Sequence, residues 1–210
     1  MELIVENINK TIDKKIILND VSLKLRSGMI YGFVGRNGSG KTMLFRALSG
    51  LMSIDSGSVS LDGKVLHKDF DVLPELGIMI ENAGLYPQLS GFDNLKRLSS
   101  IRKKADDDTI REYIRTVGLD PDDKRPFRKY SLGMKQRLVF AQAIFEDQKI
   151  LMLDEPTNAM DDSGVQMVRD ILLERKKDSI ILIASHNRED IDLLADEKYR
   201  VSNGQFIKEE

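Results

Sequence analysis

The chain has 210 residues, enough to bury a full hydrophobic core in one or two domains. With 41% hydrophobic and 31% charged residues and a formal net charge of -2, it reads as a folded globular chain without the basic surplus that marks nucleic-acid binding. It has no cysteine, which excludes disulfides and cysteine-ligated metals, and no apolar run of about 18 residues that would insert into a membrane.

The opening MELIVENINK lacks the basic and long apolar regions of a signal peptide, so a cytoplasmic protein is predicted. Short β-like runs follow at 3–5, 21–25 and 29–34. The third leads into a glycine-rich segment and then an apolar helical pattern over 43–51. Residues 58–61 and 65–66 form a strand pair around Asp62-Gly63, a hairpin signal. From about 84 to 146 the pattern turns helical. Ile110, Tyr113, Ile114 and Val117 recur with helical spacing, and Gly118 stands where that helix would end. Residues 150–153 are an unbroken apolar run, as in a strand covered on both faces. A helix over 165–173, a buried strand over 180–184, a short helix over 190–195 and a hairpin around Asn203-Gly204 complete the pattern. This alternation predicts an α/β core from residues 1–83 and 147–210, with 84–146 as an inserted helical subdomain. The strand order does not follow from pattern alone.

The segment Gly35-Arg36-Asn37-Gly38-Ser39-Gly40-Lys41-Thr42 matches G-x-x-x-x-G-K-[ST], between a strand and a helix. Glycines let the backbone curl so that successive N–H groups point at phosphate oxygens, and the following helix adds its positive end. Lys41 can reach the β- and γ-phosphates, and the Thr42 hydroxyl can ligate Mg²⁺. A second candidate cluster lies where the 150–153 strand emerges, at Asp154-Glu155-Pro156. Neighbouring strand residues point to opposite faces, so the two acids should have different tasks. Asp154 suits Mg²⁺ held through its water shell, and Glu155 suits orienting or deprotonating a water.

Downstream, Tyr130-Ser131-Leu132-Gly133-Met134-Lys135-Gln136-Arg137 resembles the signature motif of ABC ATPases, with Tyr130 and Leu132 replacing the usual leucine and first glycine. Asn158-Ala159-Met160-Asp161 looks like the D-loop of that family, and His186 like its switch histidine. The motif order matches along nearly the whole chain. The resemblance implies a P-loop NTPase core with an N-terminal antiparallel β subdomain and an inserted helical subdomain. It implies ATP and Mg²⁺ as cofactors, a second ABC ATPase subunit (an identical chain, most simply) and a multi-span membrane permease as partners. It also implies Ser131, Gly133 and Asp161 as nucleotide contacts, with His186 near the γ-phosphate or the attacking water, and a location on the cytoplasmic face of the membrane through the permease. Two positions depart from the family pattern. Glu81 stands where a metal-ligating glutamine is usual, and Ile12 falls near the place of an adenine-stacking aromatic. Glu81, followed by Gly84-Leu85-Tyr86-Pro87, is similar to exporters of the bacitracin and lantibiotic type. A GTPase would carry an Asn-Lys-x-Asp base-reading motif, which is lacking. The remaining alternative is a soluble ABC-type ATPase in a non-transport assembly, acting on nucleic acid, ribosomes or cofactor clusters.

Overall fold

A computed structural model describes residues 1–80 and 84–209. The chain opens with a long hairpin, β1 (Glu2–Ile12) and β2 (Lys15–Arg26), joined at Asp13 and Lys14, which both adopt positive φ as a tight hairpin turn requires. The sequence pattern showed only pieces of these strands. Polar residues occupy their middle, and the ladder shifts register between Val5 and Ile8, with Asn7 and Asp20 both at positive φ. Asn7 Nδ2 donates to Asp20 Oδ1 at 2.8 Å across this irregularity. The alternation by which such strands are recognised is lost there.

Next come β3 (Met29–Val34), α1 (Lys41–Ser49), β4 (Ser56–Leu61), β5 (Lys64–Val65) and β6 (Leu76–Met79). Helices α2 (Gly91–Arg102), α3 (Asp107–Thr116) and α4 (Leu132–Ile144) follow, with a short 3-10 turn at Phe127–Lys129 before α4. The chain continues through β7 (Ile150–Asp154), α5 (Asp162–Arg175), β8 (Ile180–Ser185), α6 (Arg188–Leu194), β9 (Glu197–Ser202) and β10 (Gln205–Lys208). Ser90 and Asp106 cap α2 and α3, and α3 buries Ile110 and Ile114 as its spacing predicts. Among the described residues no helix is long and apolar enough to cross a membrane.

The fold is α/β, built on two sheets. One is antiparallel, in the order β2-β1-β4-β5. The other runs β10-β9-β3-β8-β7-β6, parallel from β9 to β6, with β10 added antiparallel at one edge. Consecutive residues of the parallel strands feed two separate apolar layers. Ile150 and Met152, with Ile180 and Leu182, pack toward the antiparallel sheet and α1. Leu151 and Leu153, with Ile181 and Ile183, pack toward residues of α3, α4, α5 and α6. A strand buried on both faces has no polar side, which explains the unbroken apolar runs. Gly77 in β6 lets α4 lie directly on the sheet, because a Cβ there would run into Ala143 O. That contact seats the last turns of α4 on β6, the strand next to β7, whose carboxyl end lies where ligands bind in open α/β sheets.

Candidate functional site

The loop after β3 wraps one end of a cavity of about 600 Å³. Gly38 and Gly40 have φ of +77° and +116°, which side chains other than glycine rarely adopt. Gly40 is also the N-cap of α1 and offers no side-chain hydrogen bond. The first N–H groups of α1 are therefore left to a ligand by any capping side chain, with the positive helix end behind them. At the start of the loop Gly35 lies so close to β9 that a Cβ would meet Val201 O at 2.5 Å. The Lys41 side chain is buried and folds back over the loop, donating from Nζ to Gly35 O at 2.6 Å and Arg36 O at 3.3 Å. Ser39 Oγ is buried with no hydrogen-bond partner among the described residues, as suits a polar ligand in the loop.

Residues 37–42 line the cavity together with Asp154 and Glu155, so the two motifs converge on one site. Thr42 Oγ1 donates to Asp154 Oδ2 across the gap between α1 and β7. Among the described residues no group of three or more histidine, aspartate or glutamate side chains could cage a metal. One hydroxyl and one carboxylate, both hard oxygen donors, fit an ion that takes its other ligands from phosphate and water, which is the habit of Mg²⁺. Glu81 lies outside the described residues.

Glu155 forms part of the wall between this cavity and a second, polar one of about 470 Å³. Its backbone has φ +51°, and its N–H donates to Ala184 O at 2.8 Å. The carboxylate is held from the β8 side. Oε2 accepts from Ser185 Oγ at 3.0 Å, while Oε1 accepts from His186 N at 2.8 Å and lies 2.9 Å from His186 Nδ1. Glu155 and His186 are thus direct neighbours.

Ser131 and Gly133 do not line the main cavity. Ser131 caps α4, its Oγ accepting from Met134 N at 3.2 Å, and is exposed. Gly133 faces the next loop, where a Cβ would meet Ala159 O at 3.0 Å. Asp161 caps α5 by accepting from Gly164 N at 3.1 Å, and it pairs with Arg137 Nη2 at 2.7 Å. Arg137, with help from the Ser163 hydroxyl and the Gly164 N–H, holds the Asp161 carboxyl below the usual carboxylate range. Ile12 is not among the cavity-lining residues. It ends β1 opposite Lys15, at the tip of the hairpin. Lys15, Ile16 and Ile17 of β2 line the cavity instead, facing Asn203 and Gly204 of the last turn.

Several contributors had no role assigned from the sequence. Gln136 Nε2 donates to Glu155 O at 2.7 Å, tying α4 to the β7 turn. Gly204 N donates to Ser39 O at 3.1 Å, so the β9–β10 turn braces the phosphate loop. Gln136 lay inside a recognised motif and was within reach of sequence reasoning. The brace was not, because it depends on β9 lying next to β3.

Comparison with known proteins adds an independent line. A family model described as ABC transporter matches residues 18–158. The uncharacterized ABC transporter ATP-binding protein YybJ of Bacillus subtilis is 49% identical over 201 residues, covering 95% of this chain and 92% of its own. The lantibiotic transport ATP-binding protein SrtF of Streptococcus pyogenes is 36% identical over 206 residues, 98% of this chain and 89% of its own. The bacitracin transport ATP-binding protein BcrA of Enterococcus faecalis is 33% identical over 207 residues, 97% of this chain and 67% of its own.

Proposed function

This chain belongs to the ABC transporter family as an ATP-binding subunit and an ATPase, and on that premise we propose that two copies close around two ATP molecules to drive a separate multi-span permease in export. The observation that carries the reading is the Glu155 carboxylate, held against Ser185 and His186 at the wall of the cavity that the phosphate loop lines. Residues 35–42 bind the phosphates through the N–H groups of the loop and of α1, with Lys41 turning from the loop carbonyls toward the β- and γ-phosphates. Thr42 and Asp154 would hold Mg²⁺, with Glu81 proposed as a further ligand on its motif position alone, and the ion would supply charge neutralisation on the phosphates. Glu155 orients or deprotonates the attacking water, and His186 steadies that water or the γ-phosphate.

Ser131, Gly133 and Asp161 do not line the chain's own cavity, which supports their serving the nucleotide of a partner subunit. Residues 84–146 would move as a helical subdomain against the core formed by 1–83 and 147–210. Binding and loss of the γ-phosphate would close and open the pair, because that group favours the closed state. Export is favoured by likeness to relatives named for lantibiotic and bacitracin transport. The protein would then work at the cytoplasmic face of the membrane, held there by the permease.

Glu155→Gln is the direct test. It should bind ATP as the wild type does, while hydrolysis falls by roughly 10²-fold or more. A fully active Glu155→Gln enzyme would refute the assignment of Glu155. The transport reading is tested by purifying the tagged chain from native membranes. A multi-span protein should come with it, whereas exclusively soluble assemblies would favour a non-transport ABC-type ATPase.

A further inference from the structure

Asp190 is a buried charge that the proposed chemistry leaves unused. It lies on α6, one turn beyond His186, with 5% of its surface exposed. Its two oxygens serve two different elements. Oδ2 accepts from Thr157 Oγ1 at 2.7 Å, and Oδ1 accepts from Arg169 Nη2 at 2.5 Å. Thr157 is in the turn that begins at Glu155, and its carbonyl accepts from Met160 N at 3.2 Å. Arg169 is in the middle of α5. A buried carboxylate engaged on both oxygens fixes its partners firmly, because leaving the charge unpaired is costly.

These contacts bear on Glu155. Its φ of +51° is a conformation that a non-glycine residue keeps only where the surroundings over-determine it. Ser185 and the backbone of His186 hold the carboxylate from one side. Two residues further on, Thr157 ties the same turn through Asp190 to the helix that follows His186. The loops carrying Glu155 and His186 are therefore joined twice, once at the carboxylate and once behind it. With the rear bond removed, the turn could pivot about the front one while the sheet stayed intact.

We propose that Thr157, Asp190 and Arg169 form a positioning unit that sets the Glu155 carboxylate against His186 for hydrolysis. The unit touches no reacting atom and acts through the geometry of the two loops. The proposal rests on the assignment of Glu155 as the residue that handles water.

Thr157→Val removes one hydroxyl, keeps the side-chain shape and leaves the Asp190–Arg169 pair in place. In the full chain, kcat for ATP hydrolysis should fall by about ten-fold or more while KM for ATP stays within about two-fold. Thr157→Ser restores the hydroxyl and should recover most of kcat. Asp190→Asn keeps an acceptor for Thr157 but weakens the hold on Arg169, and should show the same split at smaller size. Hydrogen exchange on the same samples should quicken at residues 155–160 and 185–188 and stay unchanged at 29–34. Wild-type kcat in Thr157→Val overturns the proposal, as does a loss that tracks KM and Tm together and is not rescued by serine. Glu155→Gln assayed alongside separates the two readings. If it hydrolyses ATP normally, the assignment of Glu155 fails. If it stalls while Thr157→Val is fully active, that assignment stands and the positioning role alone fails.

Discussion

Two helices of this chain begin at motifs suited to phosphate, and their N-termini are finished in opposite ways. α1 starts at Gly40 with no capping side chain, facing a cavity of about 600 Å³ in the same chain. α4 starts at Ser131, whose hydroxyl accepts from Met134 N, and this end is exposed, with Leu132 projecting beside it. One helix end is left wholly to a ligand, and the other has one of its N–H groups answered by its own cap. A lone chain should therefore bind nucleotide through α1 alone. In the proposed closed pair α4 would come into play when the partner subunit brings a phosphate to it, and the Ser131 hydroxyl would then share or exchange its cap bond.

The largest effect should come from Lys41→Ala, which removes the one ammonium inside the phosphate loop. ATP binding by the isolated chain should be nearly lost, and hydrolysis should fall by about 10²-fold or more. Ser131→Ala makes the contrast. It removes a cap worth about 1 kcal/mol, a drop in Tm of about 2–4 °C for a chain of this size. ATP binding by the isolated chain should be unchanged while turnover falls. Titration calorimetry on both variants checks the pair. If Ser131→Ala weakened binding as much as Lys41→Ala, the distinction between the two helix ends would be lost. A smaller effect belongs to the aliphatic part of the main cavity's lining, Ile16 and Ile17 of β2. Base discrimination should accordingly be loose. Ile16→Tyr should raise the ATP-over-GTP ratio of kcat/KM by a few-fold through ring stacking, an interaction worth about 1 kcal/mol. An unchanged ratio would place the base elsewhere.

What was legible in the sequence divides along the same lines. The loop at 35–42 announces itself, because glycines at positive φ, a lysine and a hydroxyl leave little else for the segment to be. Asp154 and Glu155 were legible because two acids directly follow an unbroken apolar run, at the strand end where open α/β sheets bind ligands. Ile12, expected from the motif order near the place of the base, ends β1 at the hairpin tip. The lining by Ile16 and Ile17 was not legible, since the turn at Asp13 and Lys14 and the register shifts of β1 against β2 hide which residues reach the cavity. Asp190 and Arg169 gave no signal at all. Each reads as one more charge on an amphipathic helix, and their pairing depends on how α5 and α6 lie on the sheet.

The smallest effect probes the rim around the α4 end. Asp161 caps α5 and is tied by Arg137 to α4, and that arginine holds its carboxyl below the usual range. A carboxyl with a lowered folded-state pKa lends stability that is fully present above its unfolded value of about 3.9. That stability is lost as pH falls through the folded value. Asp161→Asn keeps a good N-cap and removes the charge. At pH 7 the wild type should melt slightly above the variant, and the gap should narrow as the pH is lowered past about 4. A gap that stayed constant or widened would mean that the Arg137 pair contributes nothing through its charge. ATP binding by the isolated chain should be the same in both proteins at pH 7, because Asp161 lies outside the cavity that α1 faces.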